Sequence, residues 1–387
     1  MLTPRIKFVN FQIVKNKKIK ISSNFFKIKN LISKYKFLIS LTSFYKYGYS
    51  KKLVKNLKKN SVFRIIGMGG STLGAETIYQ FLRNYTNKEF IFINNLKPNL
   101  TKYEKNTKAI NLIISKSGNT LETISNSNLL FKKNKNIFIT EKKNSYLFNL
   151  ANNLKSEIIE HKNYIGGRYS VLSEVGMLPA ELMGFKEKKF KKLNYLVKNK
   201  SFLKSLINNV SSILTFIKQG KFNSIILNYD EQSDNLFKWY QQLIAESLGK
   251  KSKGILPIIS TMPKDNHSLL QLYLDGPKTN FFTFFNVVEK KSEKFNKIIN
   301  DNSLDYLKNK SFFEILRAQQ QATQNIFKLK KIPFRSFEII KRNEETLGEL
   351  FCFFILETIL LGNALKVNPF DQPSVELIKK ETTKILF

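Results

Sequence analysis

Short apolar runs punctuate the first half of the chain at Val62–Ile66, Phe90–Asn94, Ile110–Ser115 and Ile137–Thr140, with a weaker one at Ile158–Glu160. Between them lie longer stretches, such as Thr72–Leu82 and Thr120–Phe131, whose apolar residues recur every three or four positions. Continuous apolar strands separated by helical patterns predict a parallel sheet covered on both faces. A strongly basic, polar stretch around Lys186–Lys200 predicts a junction, after which the alternation resumes. Strands are expected at Ser224–Asn228, Ile255–Thr261, Phe281–Val288 and Arg335–Ile340, and helices at Ser201–Lys218, Asp234–Leu248, Asn266–Leu274, Phe312–Leu329 and Glu344–Leu365. The simplest organisation is two doubly wound α/β units in tandem. An N-terminal segment covers 1–45, the first unit 46–185, the second 186–365, and a short C-terminal tail 366–387. In such sheets ligands collect at the carboxyl ends of the strands, so the loops after strands are where chemistry is sought.

Composition narrows the class. At 387 residues with 42% apolar content, including 34 Phe, the chain can fill the cores of two domains. Lys and Arg number 65 against 29 Asp and Glu, a formal charge of +36. Such an excess invites nucleic-acid binding, but the lysines are spread along the whole chain and accompany abundant Asn, Ile and Phe, a bias that AT-rich coding produces by itself. The charge helps steer an anionic metabolite. Cys352 is the only cysteine, which excludes an intrachain disulfide and a cysteine-based metal site. Its apolar run, Leu350–Leu356, is interrupted by Glu357 and falls short of the roughly 20 residues that span a bilayer. The first 20 residues hold no continuous apolar stretch of signal-peptide length. A soluble, cytoplasmic protein without membrane or nucleic-acid partners is expected.

Two loops carry candidate chemistry. Gly67-Met68-Gly69-Gly70-Ser71-Thr72 follows the first strand and opens a helix, a position that suits an anion. A dinucleotide loop would need a third glycine where Thr72 stands, and an acidic residue where the next strand ends in Asn94-Asn95. The loop Ser115-Lys116-Ser117-Gly118-Asn119-Thr120 follows Ile110–Ile114 directly and leads into Leu121-Glu122-Thr123. Three hydroxyls, an ammonium and a conformationally free glycine converge there on a helix start, where simple N-capping would need one hydroxyl. These groups hold a phosphate without a metal.

The second loop resembles the phosphosugar-binding signature of the sugar isomerase (SIS) fold, and the remaining motifs narrow the resemblance to the glucose-6-phosphate isomerase family. They are IGMGGSTLGAE at 66–76, SKSGNTLET at 115–123, GGRYSVLSEVGMLPA at 166–180, QQLIAESLGKKSKGILP at 241–257, HSLLQLYLDGP at 267–277 and VNPFDQPSVELIKK at 367–380. They keep the family's order over most of the chain. The resemblance implies two tandem SIS-type parallel-sheet domains. The implied activity is aldose–ketose isomerisation of glucose 6-phosphate and fructose 6-phosphate, in glycolysis and gluconeogenesis, without metal or nucleotide cofactor.

The family's catalytic glutamate falls on Glu246, which without the resemblance reads first as an exposed helix carboxylate paired with Lys250. A partly buried carboxylate there would move a proton between neighbouring carbons through an enediol. Arg168 in the Gly166-Gly167-Arg168 motif would stabilise the intermediate. His267 corresponds to the family's ring-opening histidine, supplied by the neighbouring subunit of a homodimer, and Lys379 to its catalytic lysine, with Lys380 adjacent. How the two divide the protons of ring opening is left open. Ser71, Ser115, Lys116, Ser117, Asn119 and Thr120 would hold the phosphate, and the backbones of Gly70 and Gly167 would approach the substrate. His161 is expected to be structural or exposed. The tail departs from the family pattern, with Ser374 and Ile378 at usual glycine positions. Gly118-Asn119 is a form also seen in isomerases that accept mannose 6-phosphate. A dual-specificity isomerase and a non-catalytic sugar-phosphate-binding regulator are the alternatives.

Overall fold

The computed structural model describes residues 1–11, 23–131, 136–289, 291–296 and 302–386. Its strands are β1 (Ile6–Val9), β2 (Val62–Gly67), β3 (Glu89–Ile93), β4 (Ile110–Ile114), β5 (Asn136–Thr140), β6 (Glu157–Glu160), β7 (Asn223–Asn228), β8 (Leu256–Thr261), β9 (Asn280–Val287) and β10 (Phe334–Ile339). They form two five-stranded sheets, in the orders β3-β2-β4-β5-β6 and β1-β10-β9-β7-β8. The first is parallel throughout. Every residue of β4 and β5 is buried, as these largely apolar strands require when helices cover both faces. Their two asparagines are satisfied by each other, Asn111 Nδ2 donating to Asn136 Oδ1 at 2.9 Å.

In the first sheet the chain leaves β2 for β3 on one side, then crosses to β4 on the other. The loops after β2 and β4 therefore diverge and leave a crevice between them at the carboxyl edge. The second sheet reverses in the same way between β7 and β9. The Asp234–Leu248 helix packs against the Leu73–Phe81 helix of the first unit, against β8, and against the long Glu344–Leu365 helix. It thus carries its side chains to the seam between the two units.

Three features differ from the sequence pattern. Ile6–Val9 is a strand, antiparallel to β10, so the start of the chain belongs to the edge of the second sheet. The expected helix over Asn266–Leu274 is a turn at Lys264–Asn266 followed by a short helix at Leu270–Asp275. The tail is largely helical, over Pro373–Leu386. Ile378 fits the interior of that helix better than glycine would, since a glycine there costs about 1 kcal/mol relative to alanine, while Ser374 stands in its first turn.

The Glu344–Leu365 helix is long and apolar enough to cross a membrane by length and composition, yet 89% of its most apolar window is buried inside the protein. One charged pair is enclosed beneath the second sheet. Arg335 donates to Glu357 Oε2 at 2.5 Å, to Asn209 Oδ1 at 2.8 Å and to Thr283 Oγ1 at 2.9 Å, while the Tyr240 hydroxyl donates to Glu357 Oε1 at 2.7 Å. Both charged side chains are fully buried, and the added hydrogen bonds are what make such a pair tolerable.

Candidate active site

The crevice of the first sheet is lined by two helix starts. After β2 the chain makes a tight turn at Gly69–Ser71, with Gly69 at φ +51°, and enters the Leu73–Phe81 helix through Thr72, whose side chain makes no capping bond. After β4, Ser115–Thr120 leads into the Leu121–Leu130 helix, again with no side-chain cap from Thr120. Gly118 sits at φ +70°, and a Cβ there would lie 2.1 Å from Ser145 Oγ, so only glycine fits. The Ser115 and Thr120 hydroxyls bond each other at 2.9 Å, and Ser115 Oγ accepts from the Gly118 amide at 3.2 Å. The hydroxyls thus shape the loop rather than cap the helix. With no side chain on the first amides, both helix starts keep the character of an anion site.

Lys116 lies beside this cradle. Its ammonium donates to the Asn163 carbonyl at 2.7 Å and stands 3.8 Å from Glu141 Oε1. Burial holds its pKa below the ordinary lysine value, with Glu141 opposing that shift. Beneath it, His161 is buried, and its imidazole is pushed down to about 4, chiefly by desolvation.

Across the cavity, Glu246 stands near the end of the Asp234–Leu248 helix. It pairs with Arg168 at 2.9 Å rather than with Lys250, which bonds Asp371 at 2.8 Å. Arg168 is almost fully buried in the turn Gly167–Leu172, and all five of its N–H donors are taken. They reach Ser247 Oγ (2.9 Å), Glu246 Oε2 (2.9 Å), Gln372 Oε1 (3.1 Å) and the carbonyls of Pro369 (2.8 Å) and Asp371 (3.0 Å). Three of the five acceptors belong to the segment leading into the C-terminal helix, so this arginine also anchors the tail. Tyr169 reinforces that anchor through its hydroxyl, which donates to the Pro369 carbonyl at 3.0 Å and lies 2.9 Å from Ser247 Oγ.

The resulting cavity, about 460 Å³, is lined by Gly70, Ser71, Lys116, Ser117, Thr120, Gly167, Arg168, Glu246 and Lys379 from the sequence-derived set. Ser115 is buried behind the loop. Asn119 faces away, and its Oδ1 accepts from the Tyr146 amide at 2.9 Å, at the start of the next helix. His267 follows the turn after β8, is exposed, and does not line the cavity of its own chain.

Two glutamines were missed by sequence reasoning. Gln242 Nε2 donates to Glu246 Oε1 at 2.8 Å, while its own Oε1 is buried without a partner. Gln372 accepts from Arg168. The four-residue spacing of Gln242 and Glu246 on one helix was a readable signal. Gln372 lies inside the motif VNPFDQPSVELIKK at 367–380, but no spacing within it singles the glutamine out. Among the described residues no group of three or more His, Cys, Asp or Glu side chains is placed to hold a metal ion.

Fold and cavity together define an α/β protein of the doubly wound class, with two helix starts that lack side-chain caps at a strand-order reversal. Comparison with known proteins makes this specific. Residues 25–386 match the phosphoglucose isomerase family, and the chain belongs to it. It is 34% identical over 348 residues to glucose-6-phosphate isomerase of Methanocaldococcus jannaschii, covering 82% of each chain. It is also 34% identical over 393 residues to that of Mycoplasmopsis pulmonis, covering 90% of this chain and 92% of the other. In fold it is similar to a hypothetical protein of Thermus thermophilus (TM-score 0.78, 24% identity, 87% of each chain). It is likewise similar to a glucose-6-phosphate isomerase of Chlamydia trachomatis (TM-score 0.72, 18% identity, 92% of this chain and 74% of the other).

Proposed function

We propose that this chain interconverts glucose 6-phosphate and fructose 6-phosphate, with the phosphate held by Ser71, Lys116, Ser117, Thr120 and the two helix starts. One observation carries the reading: Glu246, paired with Arg168, faces the anion cradle across a single cavity within the roughly 300–1,000 Å³ of small-molecule sites. In the open-chain aldose, Glu246 takes the proton from C2 and returns it to C1, while Arg168 balances the charge on the enediolate oxygens. Substrate oxygens then replace part of the acceptor set that Arg168 now holds. Ring opening moves a proton from the C1 hydroxyl to the ring oxygen, a task for His267 and Lys379. Because His267 lies outside its own chain's cavity, the reading requires a homodimer whose second subunit brings that histidine to the site.

The test is a coupled assay of both hexose phosphates with Glu246→Gln. The variant should keep the wild-type melting temperature and lose about 10²–10⁴-fold in kcat. Turnover near wild type would sink the assignment. Adding mannose 6-phosphate to the same assay measures the breadth that the Gly118-Asn119 loop permits.

A further inference from the structure

A second cavity, about 310 Å³, shares Lys116 with the substrate cavity. Its floor is aromatic. Phe370 packs on Tyr35, Phe37 and Tyr169 with ring centroids 5.4, 5.5 and 5.7 Å away. Its rim is basic. The Lys36 ammonium stands 4.6 Å above the Tyr164 ring and that of Lys34 stands 5.3 Å above Tyr35, so both heads are held at the mouth by ring faces. Neither lysine has a carboxylate partner among the described ion pairs, whereas Lys116, the third cation of the rim, faces Glu141.

Two connections run from this pocket to the substrate cavity. Lys116 lines both. Phe370 lies between Pro369 and Asp371, whose carbonyls accept from Arg168, and just before Gln372, which lines the substrate cavity.

We propose that this rear pocket binds a small phosphomonoester with a flat or apolar body. The body would lie against the Phe370 cluster, and the phosphate would sit among the Lys34, Lys36 and Lys116 ammoniums. An anion there competes for Lys116 with the phosphate of the substrate. The rear ligand and the substrate therefore weaken each other's binding by the same factor, as linkage demands. This coupling rests on the function proposed above, whereas the pocket itself does not.

The probe is phenyl phosphate, with inorganic phosphate as the anion lacking a body. Calorimetric titration of the full chain should show phenyl phosphate binding that persists when the hexose phosphates saturate the front cavity, though with lower affinity. In Lys34→Ser/Lys36→Ser that residual binding should weaken about tenfold, while turnover in the absence of phenyl phosphate stays at the wild-type value. Phenyl phosphate should raise the KM of the wild type more than that of the double variant. Inorganic phosphate should bind the rear pocket more weakly than phenyl phosphate.

The proposal is overturned if no phenyl phosphate binds to the saturated enzyme, or if the double variant binds it as the wild type does. Equal binding of inorganic phosphate would overturn the assigned ligand class. If neither hexose phosphate is turned over, the function proposed above fails. The rear pocket is then still judged by phenyl phosphate binding to the wild type against the double variant.

Discussion

Gly70→Ala offers a direct probe of how the two halves of the cavity are joined. An alanine Cβ at this position would lie 2.2 Å from the Gly167 carbonyl carbon, 2.3 Å from its oxygen and 2.7 Å from the Arg168 amide nitrogen. All three are backbone atoms, so no rotamer change relieves the contact. Opening it from 2.2 Å to an ordinary 3.4 Å moves one backbone against the other by about 1.2 Å. Ser170 Oγ, which donates to both the Gly70 and the Gly167 carbonyls, opposes that separation. Arg168 rides on the displaced turn, and its five bonds of 2.8–3.1 Å cannot all survive the shift.

Misplacement of a reacting group by about 1 Å costs about 10²-fold in rate, equivalent to about 2.7 kcal/mol of transition-state stabilisation. Overpacking itself costs about 1–3 kcal/mol of stability, which a domain stable by about 5–15 kcal/mol survives. The variant should therefore fold, melt slightly earlier and lose about 10²-fold in kcat/KM in the coupled assay. Gly166→Ala is the control, because its Cβ would meet only Tyr169 Cδ2 at 3.6 Å and should leave kcat/KM within about threefold of wild type. The reasoning fails if Gly70→Ala stays within that range, or if both variants fall together.

Glu357→Leu should destabilise by about 3–5 kcal/mol in urea titration, because it strands the buried Arg335 charge; Arg335→Met added to it should recover most of the loss, and an unrecovered double variant would refute the account. His161 confers a pH dependence whose sign follows from its burial. Its folded-state pKa of about 4 lies below the ordinary 6.5, so as pH falls the unfolded chain binds the proton first. Stability is complete above about pH 6.5 and declines towards pH 4, by up to about 2 kcal/mol between pH 6.5 and 5. Denaturation midpoints for His161→Asn should lose that slope above pH 5, before the carboxylates titrate.

Long, strongly patterned elements were readable from the chain alone. Asp234–Leu248, Phe312–Leu329 and Glu344–Leu365 form the helices that their spacing predicts, residue for residue. Their periodicity runs over four or more turns, and its cause lies within the segment itself. β1 was not readable, because four residues of Ile-Lys-Phe-Val become a strand only through an edge more than three hundred positions away. Among the described residues the C-terminal helix buries none in its own chain, and Pro373–Leu386 was expected only as part of a tail. In the cavity, Ser117, Arg168 and Glu246 sit within compact motifs and were legible. The turning away of Asn119, and the convergence of Gln372 on Arg168, depend on distant partners that no local spacing encodes.

The antiparallel pairing of β1 has a consequence for biosynthesis. Ile6 is made more than three hundred residues before its partner, Ile339. Thr3 and Arg5, bonding Glu349 at 2.7 and 3.0 Å, likewise wait for the far end of the chain. The first sheet can assemble co-translationally from residues 62–160, but the second cannot close its edge until Phe334–Ile339 has been made. Closure of that edge therefore comes after the first sheet can form, and until then β1 is the strand left without its partner, open to pairing with another nascent chain.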